Sequence, residues 1–87
     1  MNYKIVHHTE KQRFETVLNG MTAFTEYNLS DNGLDIIHTI VPPEIGGRGI
    51  AAALVQATYD YALAKGLKPL ASCSYAAAWL QRHPEYT

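Results

Sequence analysis

The sequence predicts an α+β fold: an N-terminal antiparallel meander, then a β-α-β crossover that sets two strands parallel, then a short C-terminal helix. Three observations predict it. Up to residue 41, short runs rich in β-branched and aromatic residues are separated by turn signals. At Pro42-Pro43 the period changes, and apolar residues between 48 and 65 recur at helical spacing. A short apolar run at 67–72 and a second helical stretch then complete a crossover.

Residues 3–7 (YKIVH) read as a short strand. Residues 11–18 (KQRFETVL) alternate, with Arg13, Glu15 and Val17 on one face and Phe14, Thr16 and Leu18 on the other. Asn19-Gly20 follows as a hairpin turn, since both residues tolerate positive φ. The return strand is 21–29, and Ser30-Asp31-Asn32-Gly33 forms the next turn. Residues 34–41 (LDIIHTIV) are the most β-branched segment, and two prolines stop it because proline donates no ladder hydrogen bond. The helix 48–65 carries Ile50, Ala53, Leu54, Ala57, Tyr61 and Ala64 on its apolar stripe, and Gly66 ends it. Pro69 makes 67–72 an edge or irregular strand. Ser74 is placed to cap a last helix, 75–82, which ends before Pro84.

The bulk properties narrow the function classes. The chain of 87 residues is read as one domain, 1–87. Its 47% hydrophobic content suits a globular fold rather than a disordered one. A net charge of −1 gives no bulk attraction to nucleic acid or anionic membrane, so neither is expected as a partner. The single cysteine, Cys73, forms no internal disulfide and is a poor basis for a metal site, so a reducing, cytoplasmic setting and no metal are expected. The first ten residues lack the apolar region of a signal peptide, and no apolar run is long enough to span a bilayer.

The stretch VPPEIGGRGIAAAL, residues 41–54, carries the clearest chemistry. A strand enters a glycine-rich turn that opens a helix, where the first N–H groups lack partners and the helix dipole is positive. That is an anion site, and glycine lets a phosphate approach the backbone. Arg48 adds a fixed positive charge, and Ala51–Ala53 keep the next turn thin. The spacing is neither the dinucleotide GxGxxG motif nor a P-loop ending in GK[ST], and a helix start softened by glycines for packing is the plainer reading.

The same residues carry a resemblance. RGIAAALV after VPPEIGG resembles the acyl-coenzyme A loop of the GNAT superfamily of N-acetyltransferases, whose pattern is Gln/Arg-x-x-Gly-x-Gly/Ala. Gly49 and Ala51 match the glycine and the small residue. The leading Gln/Arg position falls on Gly46, and Arg48 stands nearby as the charge. The chain is most similar to the small single-domain, YjdJ-type branch, through His38-Thr39, Val41–Glu44, Gly47–Ala51, Cys73–Tyr75 and Arg82–Tyr86 in order. Ile40 stands where that branch usually has an acidic residue.

The resemblance implies a GNAT-like fold and an acetyl-CoA-dependent N-acetyltransferase acting on an amine of a small molecule or a protein. It implies two parallel strands that splay apart, with the pantetheine arm along residues 38–42 and 70–74 and the phosphates at 46–51. The cofactor-binding set it implies is Val41, Gly46, Gly47, Arg48, Gly49, Ile50, Ala51, Ser74 and Tyr75.

Acetyl transfer requires a deprotonated amine, a stabilised carbonyl oxygen and a leaving thiolate. His38 is the candidate base or proton relay; alternation puts it on one face with Leu34, Ile36 and Ile40, where a buried, hydrogen-bonded histidine is the competing reading. Cys73 precedes a helix start, which favours thiolate and a covalent acetyl-cysteine route, against a small buried apolar residue; direct attack by the amine is the default. Three functions compete: the acetyltransferase, a non-catalytic acyl-CoA-binding module, and a phosphate- or nucleotide-binding protein unrelated to coenzyme A. The acceptor is unknown, and the open sheet edge of so small a domain fits a monomer or a weak dimer.

Overall fold

Five strands form one sheet in sequence order: β1 (Val6–His8), β2 (Arg13–Leu18), β3 (Met21–Leu29), β4 (Gly33–Ile40) and β5 (Lys68–Ala71). Helix α1 (Ile50–Ala64) connects β4 to β5, and α2 (Ser74–Arg82) follows β5. The computed structural model describes residues 3–87. β1 to β4 pair antiparallel, and β4 pairs parallel with β5, so the expected meander and crossover both form. No helix among the described residues is long and apolar enough to cross a membrane.

The turns form where the sequence places them. Asn19 and Gly20 both take positive φ (54° and 74°), which closes the β2–β3 hairpin with Leu18 opposite Met21. The last turn of α1 closes with Gly66 N–H on Leu63 O and Leu67 N–H on Ala62 O, the paired bonds of a Schellman stop. The first strand differs from expectation. It starts at Val6 rather than residue 3, and Thr9–Lys11 form a 3-10 turn that ends at Gln12 in the left-handed region (φ 54°), so β2 begins at Arg13.

The core lies on one face of the sheet. Phe14 and Thr16 of β2, Ala23, Thr25 and Tyr27 of β3, and Leu34 and Ile36 of β4 are buried against the helices. The alternation in β2 is therefore the expected one. The stripe on α1 is the expected one only in part: Ile50 and Leu54 are buried as expected, while Thr58 and Ala62, with Val55 and Tyr59, complete its buried face. Ala53, Ala57 and Tyr61 are half-buried and Ala64 is exposed. Polar Thr58 takes a core position because its hydroxyl is satisfied. It donates to Leu54 O at 2.7 Å and meets Thr25 Oγ1 at 2.7 Å. Trp79 of α2 packs on Tyr59, whose hydroxyl donates to Leu70 O at 2.5 Å and ties α1 to β5.

One irregularity shapes everything downstream. Tyr27 pairs with Ile36, but Glu26 pairs with His38, so Ile37 is an extra residue in β4. Such a bulge bends its strand and adds twist. It also advances the side-chain alternation by one, so His38 and Ile40 are exposed on the outer face of the sheet while Thr39 turns toward the core side. The expected grouping of His38 with Leu34 and Ile36 is overturned by that single inserted residue.

Candidate functional site

Beyond the bulge the parallel pair comes apart. Its register runs from Gly33–Lys68 to Ile36–Ala71 and stops. The N–H groups of Ser72 (3.1 Å) and Cys73 (3.0 Å) both close on Ile36 O, and α2 starts at Ser74. From Ile37 onward β4 therefore has no ladder partner on its β5 side. The two strands form a fork, with the β4 prong carrying Thr39 to Val41 and the other carrying Cys73 at the start of α2.

Helix α1 begins at the mouth of this fork. After Pro42, a 3-10 turn (Pro43–Ile45) buries Ile45, and Gly46 N–H returns to Pro43 O at 3.1 Å. Gly47 (φ 73°) and Gly49 (φ 76°) are left-handed, and a Cβ at either would meet nothing within 4 Å. Their requirement is conformational, and a side chain there would project into the open space ahead of the helix. Gly49 caps α1 without a side-chain hydrogen bond, and the first intrahelical bond runs from Ala53 N–H to Gly49 O at 3.1 Å. The N–H groups of Ile50, Ala51 and Ala52 thus have no carbonyl within the helix. The first turn of α1 contains no acidic residue to offset its partial positive charge.

A cavity of about 260 Å³ lies against this helix start. Seven of the nine expected cofactor-binding residues line it: Val41, Gly46, Gly47, Gly49, Ile50, Ala51 and Tyr75, together with Ile45. The other two lie outside the lining. Arg48 is exposed, and its carbonyl accepts the Tyr3 hydroxyl. Ser74 is the first residue of α2 rather than its cap; Cys73 occupies the cap position, in extended conformation. The chemistry of this cavity, with apolar walls and unpaired N–H groups at one end, fits a ligand that joins a phosphate to an extended arm.

Cys73 and Thr39 bridge the fork, the thiol donating to Thr39 Oγ1 at 3.4 Å. Burial pushes the thiol pKa up, but hydrogen bonding outweighs it: the Thr39 hydroxyl and the N–H groups of Ala76 and Tyr75 favour the anion, and the net shift is downward. No Sγ contact reaches capping geometry, so the helix acts on the sulfur through aligned N–H dipoles. His38 is one residue away in sequence but on the other face, and makes no hydrogen bond among the described residues. The fold thus brings Cys73 against Thr39 across the fork and leaves His38 on the outer face of the β4 prong. Thr39 was not singled out from the sequence as the thiol's partner. Its only signal there is its place beside His38, because the bulge that turns it inward leaves no mark in residue type.

A family model described as GCN5-related N-acetyl-transferase matches residues 13–87. Protein NATD1 of Xenopus tropicalis is 29% identical over 85 residues, spanning 93% of this chain and 77% of the relative. The mouse protein of the same name (Mus musculus) is also 29% identical, spanning 93% and 76%. A GCN5-like protein from Staphylococcus aureus, solved by NMR in solution, superposes with a TM-score of 0.74 at 32% identity over 98% of this chain and 84% of its own.

Proposed function

Since this chain belongs to the GCN5-related N-acetyltransferase family, we propose that it binds acetyl-CoA in the fork between β4 and β5 and transfers the acetyl group to an amine. The observation that carries the proposal is the joint between fork and helix: β4–β5 pairing ends at Ile36–Ala71, and unpartnered α1 N–H groups face a cavity of about 260 Å³ at its mouth. Gly46 to Ala51 hold the phosphates, and Arg48 supplies a screened surface charge to them. Val41 and Tyr75 flank the arm. The backbone of residues 38–41, unpaired on its β5 side, offers the arm strand-like hydrogen bonds there.

Acetyl-CoA supplies an activated acyl carbon; as the C–N bond forms, the C–S bond breaks, and the proton lost by the amine ends on the departing sulfur. Cys73, held beside Thr39 with its proton made acidic, donates that proton to the departing sulfur and is restored by the one the amine sheds on C–N bond formation, so the net transfer is from amine to sulfur. His38, on the solvent side of the β4 prong, accepts the proton of the incoming ammonium. The covalent variant, in which the Cys73 thiolate first takes the acetyl group, uses the same atom.

A second reading is an acyl-CoA-binding module without turnover. It is favoured by one observation: His38 makes no contact with the Thr39–Cys73 pair. Acetyl-CoA hydrolysis and amine acetylation in Cys73→Ala and His38→Ala separate the two. The enzyme reading expects slower turnover with acetyl-CoA binding retained. A parent protein that binds acetyl-CoA but acetylates no amine from a broad panel supports the module.

A further inference from the structure

Asp35 lies on β4 two residues before the bulge, and both its carboxylate oxygens are spent on one residue. Oδ1 accepts the Ser72 backbone N–H at 2.7 Å, and Oδ2 accepts the Ser72 hydroxyl at 2.6 Å. Among the described residues no Lys, Arg or His lies within salt-bridge distance of it. The charge is therefore used on a turn of backbone, and hydrogen bonds to a charged acceptor are the shorter and stronger kind. Ser72 is the residue before Cys73. With Ser72 and Cys73 N–H both on Ile36 O, consecutive β4 residues grip the point where β5 ends. Independently of the clamp, the Tyr59 hydroxyl donates to Leu70 O and ties α1 to the same strand, β5.

We propose that Asp35 is a positioning residue for Cys73: by clamping Ser72 from the neighbouring strand it sets the width of the fork and holds the Cys73 sulfur against Thr39 and the first N–H groups of α2. The inference rests on the reading that the fork is the transfer site, but its geometry is independent of turnover. Releasing the clamp frees the Ser72–Cys73 backbone to swing away from the β4 prong. The thiol then loses its hydrogen-bonding partners and returns toward ordinary thiol behaviour.

The test is the pH profile of Cys73 alkylation by iodoacetamide in the whole chain, for the parent, Asp35→Ala and Asp35→Asn. The expected result is a midpoint about one pH unit higher in Asp35→Ala. Asparagine keeps an acceptor for the Ser72 N–H and exchanges the second bond with the hydroxyl, so Asp35→Asn should stay near the parent. Thr16→Val, which removes a buried hydroxyl's bond to Lys4 O at the β1–β2 side of the sheet, away from the fork, should leave the midpoint unchanged. A profile for Asp35→Ala that superimposes on the parent overturns the proposal, as does an equal shift in Asp35→Ala and Asp35→Asn. If Asp35→Ala does not fold, Ser72→Ala removes the hydroxyl half of the clamp and should move the midpoint in the same direction by less; no movement overturns the proposal. The transfer chemistry is tested separately. If Cys73→Ser acetylates amines at the parent rate, the sulfur has no part in turnover, while the alkylation shift still reports the clamp.

Discussion

Cys73 gains acidity from three directions at once: the Thr39 hydroxyl across the fork, and the N–H groups of Tyr75 and Ala76 ahead of it in α2. Burial is the largest single influence and opposes them, so the downward shift depends on these partners acting together and is sensitive to the loss of one. Thr39→Val keeps the side-chain shape and removes the hydroxyl. The alkylation midpoint of Cys73 should rise, and amine acetylation should fall with little change in acetyl-CoA affinity. Loss of affinity equal to the loss of rate would place Thr39 in the binding surface alone. Gly49 is a second single-residue control point. Gly49→Val forces a β-branched side chain to φ near 76° at a strain of roughly 1–2 kcal/mol and pushes its methyls into the space before α1. Calorimetry should show acetyl-CoA binding abolished while denaturant unfolding shows only the modest loss of stability. Retained binding would remove the phosphates from this loop.

At the scale of elements, the bulge in β4 and the buried hydroxyl pair between β3 and α1 make distinct demands. Deleting Ile37 removes the extra residue and its bend: His38 stays outward and Thr39 inward opposite Thr25, but β4 loses the local twist that carries Thr39–Val41 away from β5, which lets the ladder run past Ile36 and closes the fork. The sheet should persist by circular dichroism while acetyl-CoA binding is lost. Thr58→Val leaves Thr25 Oγ1, fully buried, without its partner, at a cost of about 1–3 kcal/mol. The double variant with Thr25→Val should be less destabilised than the sum of the singles, read by urea unfolding through Trp79 emission. These two features also mark the limits of what the sequence disclosed. Asn19-Gly20, Pro42-Pro43 and Gly66 announce their turns because their backbone preferences are local. Phe14, Thr16 and Leu18 declared their face for the same reason. The glycine loop was legible through a local rule about helix starts. The bulge was not, since Ile37 is an ordinary strand residue and the extra position exists only in the pairing with β3. The α1 stripe departs from expectation after Leu54 because Thr58 reads as polar until Thr25, 33 residues away, satisfies it. The Asp35–Ser72 clamp joins residues 37 apart and has no local signal at all.

The whole molecule is one hydrophobic core under one face of a sheet, with aromatic clusters at its margins. His7 stands in one of them: it stacks on Phe14 at 4.0 Å, meets Tyr61 edge-on at 4.4 Å and shares a 2.6 Å hydrogen bond with the Tyr27 hydroxyl. Desolvation lowers its pKa below 6.5, against the pull of Glu10 and with a small push from His8. A lowered folded-state value means the unfolded chain takes up the proton first. This contribution to stability is present in full above pH 6.5 and is lost as the pH falls from there through the folded-state value. His7→Phe should flatten that part of the stability–pH curve, and should cost about 1 kcal/mol at pH 7 for the missing hydrogen bond. An unchanged slope would assign the acid sensitivity to other groups. On the proposed reading, this core presents the fork, the glycine loop and the start of α2 as one continuous surface for acetyl-CoA. Amide chemical shifts during titration with acetyl-CoA, repeated with ATP, test it most directly. Shifts centred on residues 38–51 and 71–76 are expected with acetyl-CoA and not with ATP. Silence with acetyl-CoA, or the same response to ATP, would contradict it and leave the loop a generic phosphate nest.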